Sequence, residues 1–246
     1  MRWNVQLPVR IVPMARPELT APAAVGAQLT YRGGPIVANA EVTTIFWGDG
    51  WKAATQAMLS DQINAFFDAI LASALIDQLA EYGVPGTPIG HGKRAATLTL
   101  PASLGGSVDD AAIQKMIQNQ LAAGSIPAAN GNSIYFVYPP TGVTVSAGGA
   151  QSCQTFCGYH DAAGGVYYAV EPYPDCSDCT AGLDVLDAIA VSSSHELCEA
   201  ITDPVPGSGW YDDANGEIGD LCAWQTKTVG EYTVQLEWSN KAGKCV

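Results

Sequence analysis

The chain has 246 residues, 48% of them hydrophobic, enough for one substantial core or for one domain with a cleft between two lobes. Its formal net charge of −13, with only 11 Lys plus Arg and no basic run, argues against nucleic acid and anionic membrane surfaces as partners, because phosphate neutralisation dominates those affinities. No stretch reaches the ~20 apolar residues of a membrane span, and a charged fraction of only 14%, beside many Gly, Ser and Thr, suits an extracellular protein.

Residues 1–27 are rich in Pro and Ala without a period and read as an extended lead-in. Met1-Arg2-Trp3-Asn4-Val5 has no apolar run of the signal-peptide kind, so secretion would use a signal outside this chain or another route. Residues 28–48 read as a hairpin: Leu29-Thr30-Tyr31, a turn at Arg32-Gly33-Gly34-Pro35, then the strand Val42-Thr43-Thr44-Ile45-Phe46-Trp47. Over residues 51–82, Met58, Ile63, Phe66, Phe67, Ile70, Leu71 and Leu75 recur at three and four, which predicts helix with one break. Thr97-Leu98-Thr99-Leu100 is a short strand ended by Pro101. Asp109 and Asp110 suit the positive end of a second helix through Ile113, Met116, Ile117 and Leu121. Ser133-Ile134-Tyr135-Phe136-Val137-Tyr138 is an almost wholly apolar strand. Gly165-Val166-Tyr167-Tyr168-Ala169-Val170 alternates enough to lie at a sheet edge. A helix over residues 183–202 follows, with Leu186, Ala190, Leu197 and Ile201 on its core face and Asp203-Pro204 at its end. Two strands, around residues 222–224 and 232–238, close the chain.

Of seven cysteines, Cys153 and Cys157 form a C-x3-C, Cys176 and Cys179 a C-x2-C, and Cys222 and Cys245 bracket the C-terminal region. The first two pairs approximate a four-thiolate zinc site, but loop-like flanks and the third available pair favour disulfides, hence an oxidising compartment. Cys198 is the odd one, read as a buried free thiol.

His195-Glu196-Leu197-Cys198-Glu199 carries the chemistry. In this H-E-x-x-E, residues four apart share a helix face, so His195 and Glu199 can bind one ion from successive turns. Glu196 would lie beside it as general base to a water. Zinc accepts imidazole nitrogen and carboxylate oxygen alike and, in catalytic sites, takes three protein ligands. The third is open among Glu217, Asp220 and His160, the last in Cys157-Gly158-Tyr159-His160. Tyr211 is a candidate hydrogen-bond donor to an oxyanion, although Trp-Tyr pairs more often pack. A bare H-E-x-x-E also occurs on solvated helices without any role; Ser192-Ser193-Ser194 and apolar flanks indicate burial here, and buried His and Glu need partners. The acidic stretch 212–220 fails the EF-hand pattern, so calcium is a secondary candidate and a solvated turn the plain alternative. His91 reads as a loop residue. No G-x-S-x-G elbow or Gly-rich phosphate loop is present.

The element order matches the N-terminal half of a zincin-type metalloprotease. The expected fold is α+β: a zincin-like mixed twisted sheet packed on helices over residues 28–246, with a disulfide-stapled, β-containing C-terminal subdomain over 204–246. The chain resembles thermolysin-like proteases at His195-Glu196-Leu197 and Ala200-Ile201-Thr202-Asp203. That resemblance implies Glu217 as third ligand and Asp220 or Asp203 as the group orienting the first His.

The chain also resembles the EXORDIUM-like, phosphate-induced proteins of plant cell walls. The matching pieces run in order through Leu29-Thr30-Tyr31, Gly34-Pro35, Ile45-Phe46-Trp47-Gly48, Cys157-Gly158-Tyr159-His160 and the Cys176/Cys179 pair. They continue through the H-E-x-x-E, Trp210-Tyr211, Glu217-Ile218-Gly219-Asp220-Leu221-Cys222, and Glu237-Trp238-Ser239 with Cys245. The chain departs from the plant pattern at Cys198 and at Thr202-Asp203-Pro204. The resemblance implies secretion and disulfides. The expected function is a secreted zinc metallopeptidase acting on a peptide laid along Val166–Val170 by strand addition. The alternative is a non-enzymatic secreted or cell-wall-type protein with a structural zinc or calcium site.

Overall fold

The computed structural model describes residues 11–15 and 26–246. Part of the extended lead-in is therefore placed: Ile11–Pro13 is a strand (β1), while residues 1–10 and 16–25 lie outside the described residues. Thr30–Tyr31 (β2) does not turn back onto the next strand, Asn39–Trp47 (β3), as the hairpin expectation required; it pairs with Trp210–Tyr211 instead. The physical reason lies in β3, which is buried on both faces and therefore sits inside the sheet, out of reach of a local hairpin partner. Gly34 permits the alternative, because a Cβ there would fall 2.4 Å from Ser208 Oγ.

Ala54–Ile70 (α1) and Ala74–Leu79 (α2) form the broken helix, with Ser73 capping the second by accepting from Leu75 N–H. Gly90–Leu100 (β4) extends the expected short strand backwards and takes in His91, which is a strand residue paired with Asp77. Its side chains alternate between half-buried and exposed, as an edge strand with polar outward positions should. Ser107–Asp109 (β5) leads into Asp110–Ala123 (α3), where Asp109 accepts from Ala112 N–H and Gly124 ends the helix at φ 68°. Ser133–Tyr138 (β6) is wholly buried, and Thr144–Ala147 (β7) and Ala150–Gln151 (β8) build a small sheet with β5. Phe156–Ala163 (β9) and Val166–Val170 (β10) return to the main sheet.

The main sheet runs β1-β9-β10-β6-β3-β4. β4, β3, β6 and β10 are mutually parallel, β9 is antiparallel to β10, and β1 is antiparallel to β9. Val166–Val170 is thus an interior strand, not an edge, with β6 on one side and β9 on the other. Only its first two residues are half-exposed, and these produced the misleading alternation.

Alternate residues of the central strands feed two cores. Val42, Phe46, Ile134, Phe136, Tyr138 and Ala169 pack with α1, α2 and the helix Val185–Thr202. Ile45, Trp47, Tyr135, Val137, Tyr168 and Val170 pack with α3 and the small sheet. The result is a mixed α+β fold with helices on both faces, which explains why β6 is apolar throughout. The short Ser177–Thr180 (α4) precedes the long helix Val185–Thr202 (α5), which ends where Asp203 N–H closes on Glu199 O.

After α5 the chain is mostly loop. Residues 220–222 form a 3-10 turn where a strand was expected; Thr226–Val229 pairs with Tyr232–Gln235, and Trp238–Ser239 with Lys244–Cys245. Disulfides Cys153–Cys176 and Cys157–Cys179 join the β9 region to α4, and Cys222–Cys245 closes the C-terminal segment. Cys198 is free and buried. No single described helix is long and apolar enough to cross a membrane.

Candidate metal centre

Helix α5 is capped at its start by Asp184, whose carboxylate accepts from Asp187 N–H, and every residue from Ala188 to Thr202 is buried. A helix buried all round should carry apolar side chains; this one presents His195, Glu196 and Glu199, each with zero exposure. They face β9, which contributes His160, and the loop after α5, which contributes Glu217 and Asp220. All six residues picked out as base or ligand candidates therefore meet at one place. Asp220 alone among them is partly exposed.

The contacts define two sides. His195 Nε2 lies 3.0 Å from Glu199 Oε1, which also accepts from Asp220 N–H at 3.2 Å. On the other side, His160 Nδ1 is 2.8 Å from Glu196 Oε2 and 3.5 Å from Glu199 Oε2. His160 Nε2 is 3.2 Å from the Asp203 carbonyl and 3.5 Å from Glu217 Oε1. The loop is held in shape by Glu217 N–H donating to Asp220 Oδ2 and by Gly216 at φ 93°, where a Cβ would meet that same oxygen at 2.1 Å.

Surrounding residues have clear tasks. Gln235 accepts from Trp224 N–H through Oε1 and donates through Nε2 to Gly219 O; that Nε2 is 2.8 Å from His195 Nδ1. In the neutral imidazole so arranged, Nδ1 accepts and the proton sits on Nε2, facing Glu199. Ligation through Nε2 requires the Gln235 amide to turn over, so that Nδ1 can donate to it, at the loss of the amide's bonds with Trp224 N–H and Gly219 O. Gly219 has ordinary backbone, but a Cβ there would lie 2.8 Å from His195 Cγ and Nδ1 and 2.9 Å from Glu199 Oε1, so the centre needs its bareness. Ser192 donates to Glu171 at 2.6 Å.

Hydrogen bonds account for two further groups of carboxylates. Asp203 does not orient His195: its carboxylate is taken by the N–H groups of Gly207, Ser208 and Gly209 at 2.7, 3.0 and 2.6 Å, which shapes its own loop. In the acidic stretch, Asp212 is occupied by Gln28, Ala214 and Asn215, and Asp213 pairs with Arg32, so that end of the loop closes on itself. Tyr211 lies under the Arg32 guanidinium, 4.2 Å from the ring centroid. Burial, with Glu217 and Asp220 nearby, pushes its hydroxyl up to about 12. The four-thiolate alternative is excluded, because all four cysteines are paired in disulfides.

The electrostatics are unbalanced. Glu171, Glu196, Glu199, Glu217 and Glu237 are all buried, against two imidazoles. Burial pushes Glu217, Glu171 and Glu237 well above the usual carboxylate range and takes Asp220, with Glu199 beside it, up to about 8. Burial acts on Glu199 the same way, but His195 and His160 overcome it and hold that carboxyl at about 2. Burial lowers both imidazoles, and the surrounding carboxylates more than reverse this. Among the described residues, both Glu217 oxygens, Glu199 Oε2 and Glu196 Oε1 accept no hydrogen bond, His195 Nε2 meets only the Glu199 carboxylate as an ion pair, and the Glu217 carboxyl lies against that of Asp203. Orphaned buried acceptors cost about 1–3 kcal/mol each, more when charged; a cation among them removes that cost. The donor set of imidazole nitrogen and carboxylate oxygen fits zinc among other divalent ions.

Gln235, Gly219, Glu171 and Glu237 were not legible as members of this neighbourhood. Val234 and Gln235 are successive strand residues and both buried, so alternation in Tyr232–Gln235 did not mark Gln235 as inward, and nothing local named its partner. Comparisons with protein-family profiles, curated proteins and solved structures found no match for this chain.

Proposed function

We propose that the chain is a secreted metal-binding protein, EXORDIUM-like in its motifs and zincin-like in its frame, whose buried imidazole–carboxylate centre holds zinc. The observation that carries this reading is the set of orphaned acceptors around His195, Glu199 and Glu217, all at zero exposure. His195 and Glu199 would hold the ion, completed by Asp220 or Glu217. Calcium is the weaker candidate, because it prefers six to eight oxygens without imidazole.

Between the two uses of such a centre, burial favours stabilisation over peptide cleavage. His195, Glu196, Glu199 and Glu217 expose no surface to a substrate, and Val166–Val170 has no free edge to receive a peptide. The metallopeptidase reading is the second. One observation favours it: Glu196, next to the ligand His195, keeps Oε1 unpartnered beside the centre while His160 holds Oε2. Bound zinc would supply Lewis acidity there, and Glu196 would accept the proton of an attacking water.

Three measurements on the secreted protein test this: its metal content, its thermal stability with and without EDTA, and digestion of casein by it and by Glu196→Gln. Bound zinc, an EDTA-lowered Tm and no digestion are expected. Digestion lost in a zinc-loaded Glu196→Gln variant would install the peptidase reading instead. A metal-free protein indifferent to EDTA would overturn both.

A further inference from the structure

We propose that Glu199 bridges two divalent cations, one held with His160 and Glu217 and the other with His195 and Asp220. This rests on the metal-centre reading above and extends it from one ion to two. The two triads share Glu199, and within each the ligand atoms lie within 4.8 Å of one another.

The two oxygens of Glu199 serve different sides: Oε1 is 3.0 Å from His195 Nε2, and Oε2 is 3.5 Å from His160 Nδ1. Ligand atoms on a tetrahedral ion with bonds of about 2.0–2.1 Å stand roughly 3.4 Å apart, so the 3.0 Å between His195 Nε2 and Glu199 Oε1 and the 3.5 Å between His160 Nε2 and Glu217 Oε1 need little adjustment. A carboxylate divided in this way suits ions about 3.5–4 Å apart. On the first side His160 Nδ1 donates to Glu196 Oε2, which leaves Nε2 facing Glu217 and the Asp203 carbonyl. A carboxylate behind a ligand histidine is the usual arrangement around metal sites, so Glu196 positions His160 here.

One ion does not satisfy the neighbourhood. Placed with His195 and Asp220, it leaves both oxygens of Glu217 and Oε2 of Glu199 without a donor among the described residues, at zero exposure; placed with His160, it leaves His195 Nε2 with only the Glu199 carboxylate before it.

The test is a zinc titration of the EDTA-stripped full chain, read by calorimetry and native mass spectrometry, with manganese loading read by electron paramagnetic resonance. Two equivalents of zinc are expected, falling to one in Glu217→Gln and one in Asp220→Asn, with near-ultraviolet circular dichroism confirming that each variant is folded. The manganese spectrum, which needs no variant, should show a spin-coupled pair. One equivalent in the wild-type chain overturns the second ion and leaves the metal-centre reading standing. Two uncoupled manganese ions overturn the bridge. No bound metal overturns both readings.

Discussion

Tyr159 and His160 are neighbours on β9, and the two-residue period of the strand sends their side chains into opposite layers. Tyr159 joins a polar cluster against α3. There Asp110 Oδ1 accepts from the hydroxyls of Tyr159 and Tyr168 at 2.8 and 2.9 Å, and Oδ2 accepts from Gln114 at 2.8 Å. Every oxygen of that carboxylate has a donor. His160 joins the centre against α5, where carboxylates outnumber donors and whole oxygens stand alone. Asp110 and Gln114 are only partly buried, whereas His160, His195, Glu196, Glu199 and Glu217 expose nothing. The two clusters differ in that depth and in the count of donors against acceptors.

The comparison breaks most directly by removing the cation. Stripping metal with EDTA should destabilise the protein by about 4 kcal/mol if the ion stands near 1,000 times its dissociation constant. That is a fall in Tm of roughly 8–16 °C in differential scanning calorimetry, and the α3 cluster should keep its hydrogen-exchange protection. An unchanged Tm would place the two clusters in the same class.

Opening the Cys222–Cys245 bridge, by Cys222→Ala with Cys245→Ala, should cost about 3 kcal/mol. Because Cys222 follows the Asp220 turn, zinc affinity should fall as well. Cys153→Ala with Cys176→Ala should cost similar stability and leave zinc affinity alone; equal affinity losses in both would refute this local assignment.

Gly219→Ala pushes a methyl against His195 and Glu199. It should weaken zinc binding by about 10–100-fold, as perturbing a ligand's supporting shell does, with a smaller effect on unfolding by urea. Asp110→Asn, in the other cluster, removes the charge that two tyrosine hydroxyls and Gln114 address. It should cost about 1–2 kcal/mol in urea unfolding without any change in bound metal. The smallest effect is expected at the surface pair Arg94–Asp68, whose two members are 23% and 52% exposed. Arg94→Ala should change stability by about 1 kcal/mol or less.

Local chemistry made much of the fold legible. α1 with its break, α3 with its Asp109 cap, β6 between its turn signals and α5 with its Asp203-Pro204 stop all lie where periodicity and capping residues put them. The misreadings concern pairing. Thr30–Tyr31 chose Trp210–Tyr211 over its sequence neighbour, and Val166–Val170 found partners on both sides. A strand's side-chain pattern reports how its faces are covered and not which chain segment covers them.

The same division runs through the centre. His195, Glu196 and Glu199 were determined by the sequence, because helical geometry alone puts positions four apart on one face. Glu217, Asp220 and His160 were legible as candidates without an order among them, since each arrives from a different segment. Only the tertiary structure brought His160 in on β9, gave each oxygen of Glu199 its own histidine, and spent Asp203 on the backbone of its own loop. Donor–acceptor balance is a property of a closed volume, and a volume is defined only once segments far apart in the chain have packed around it.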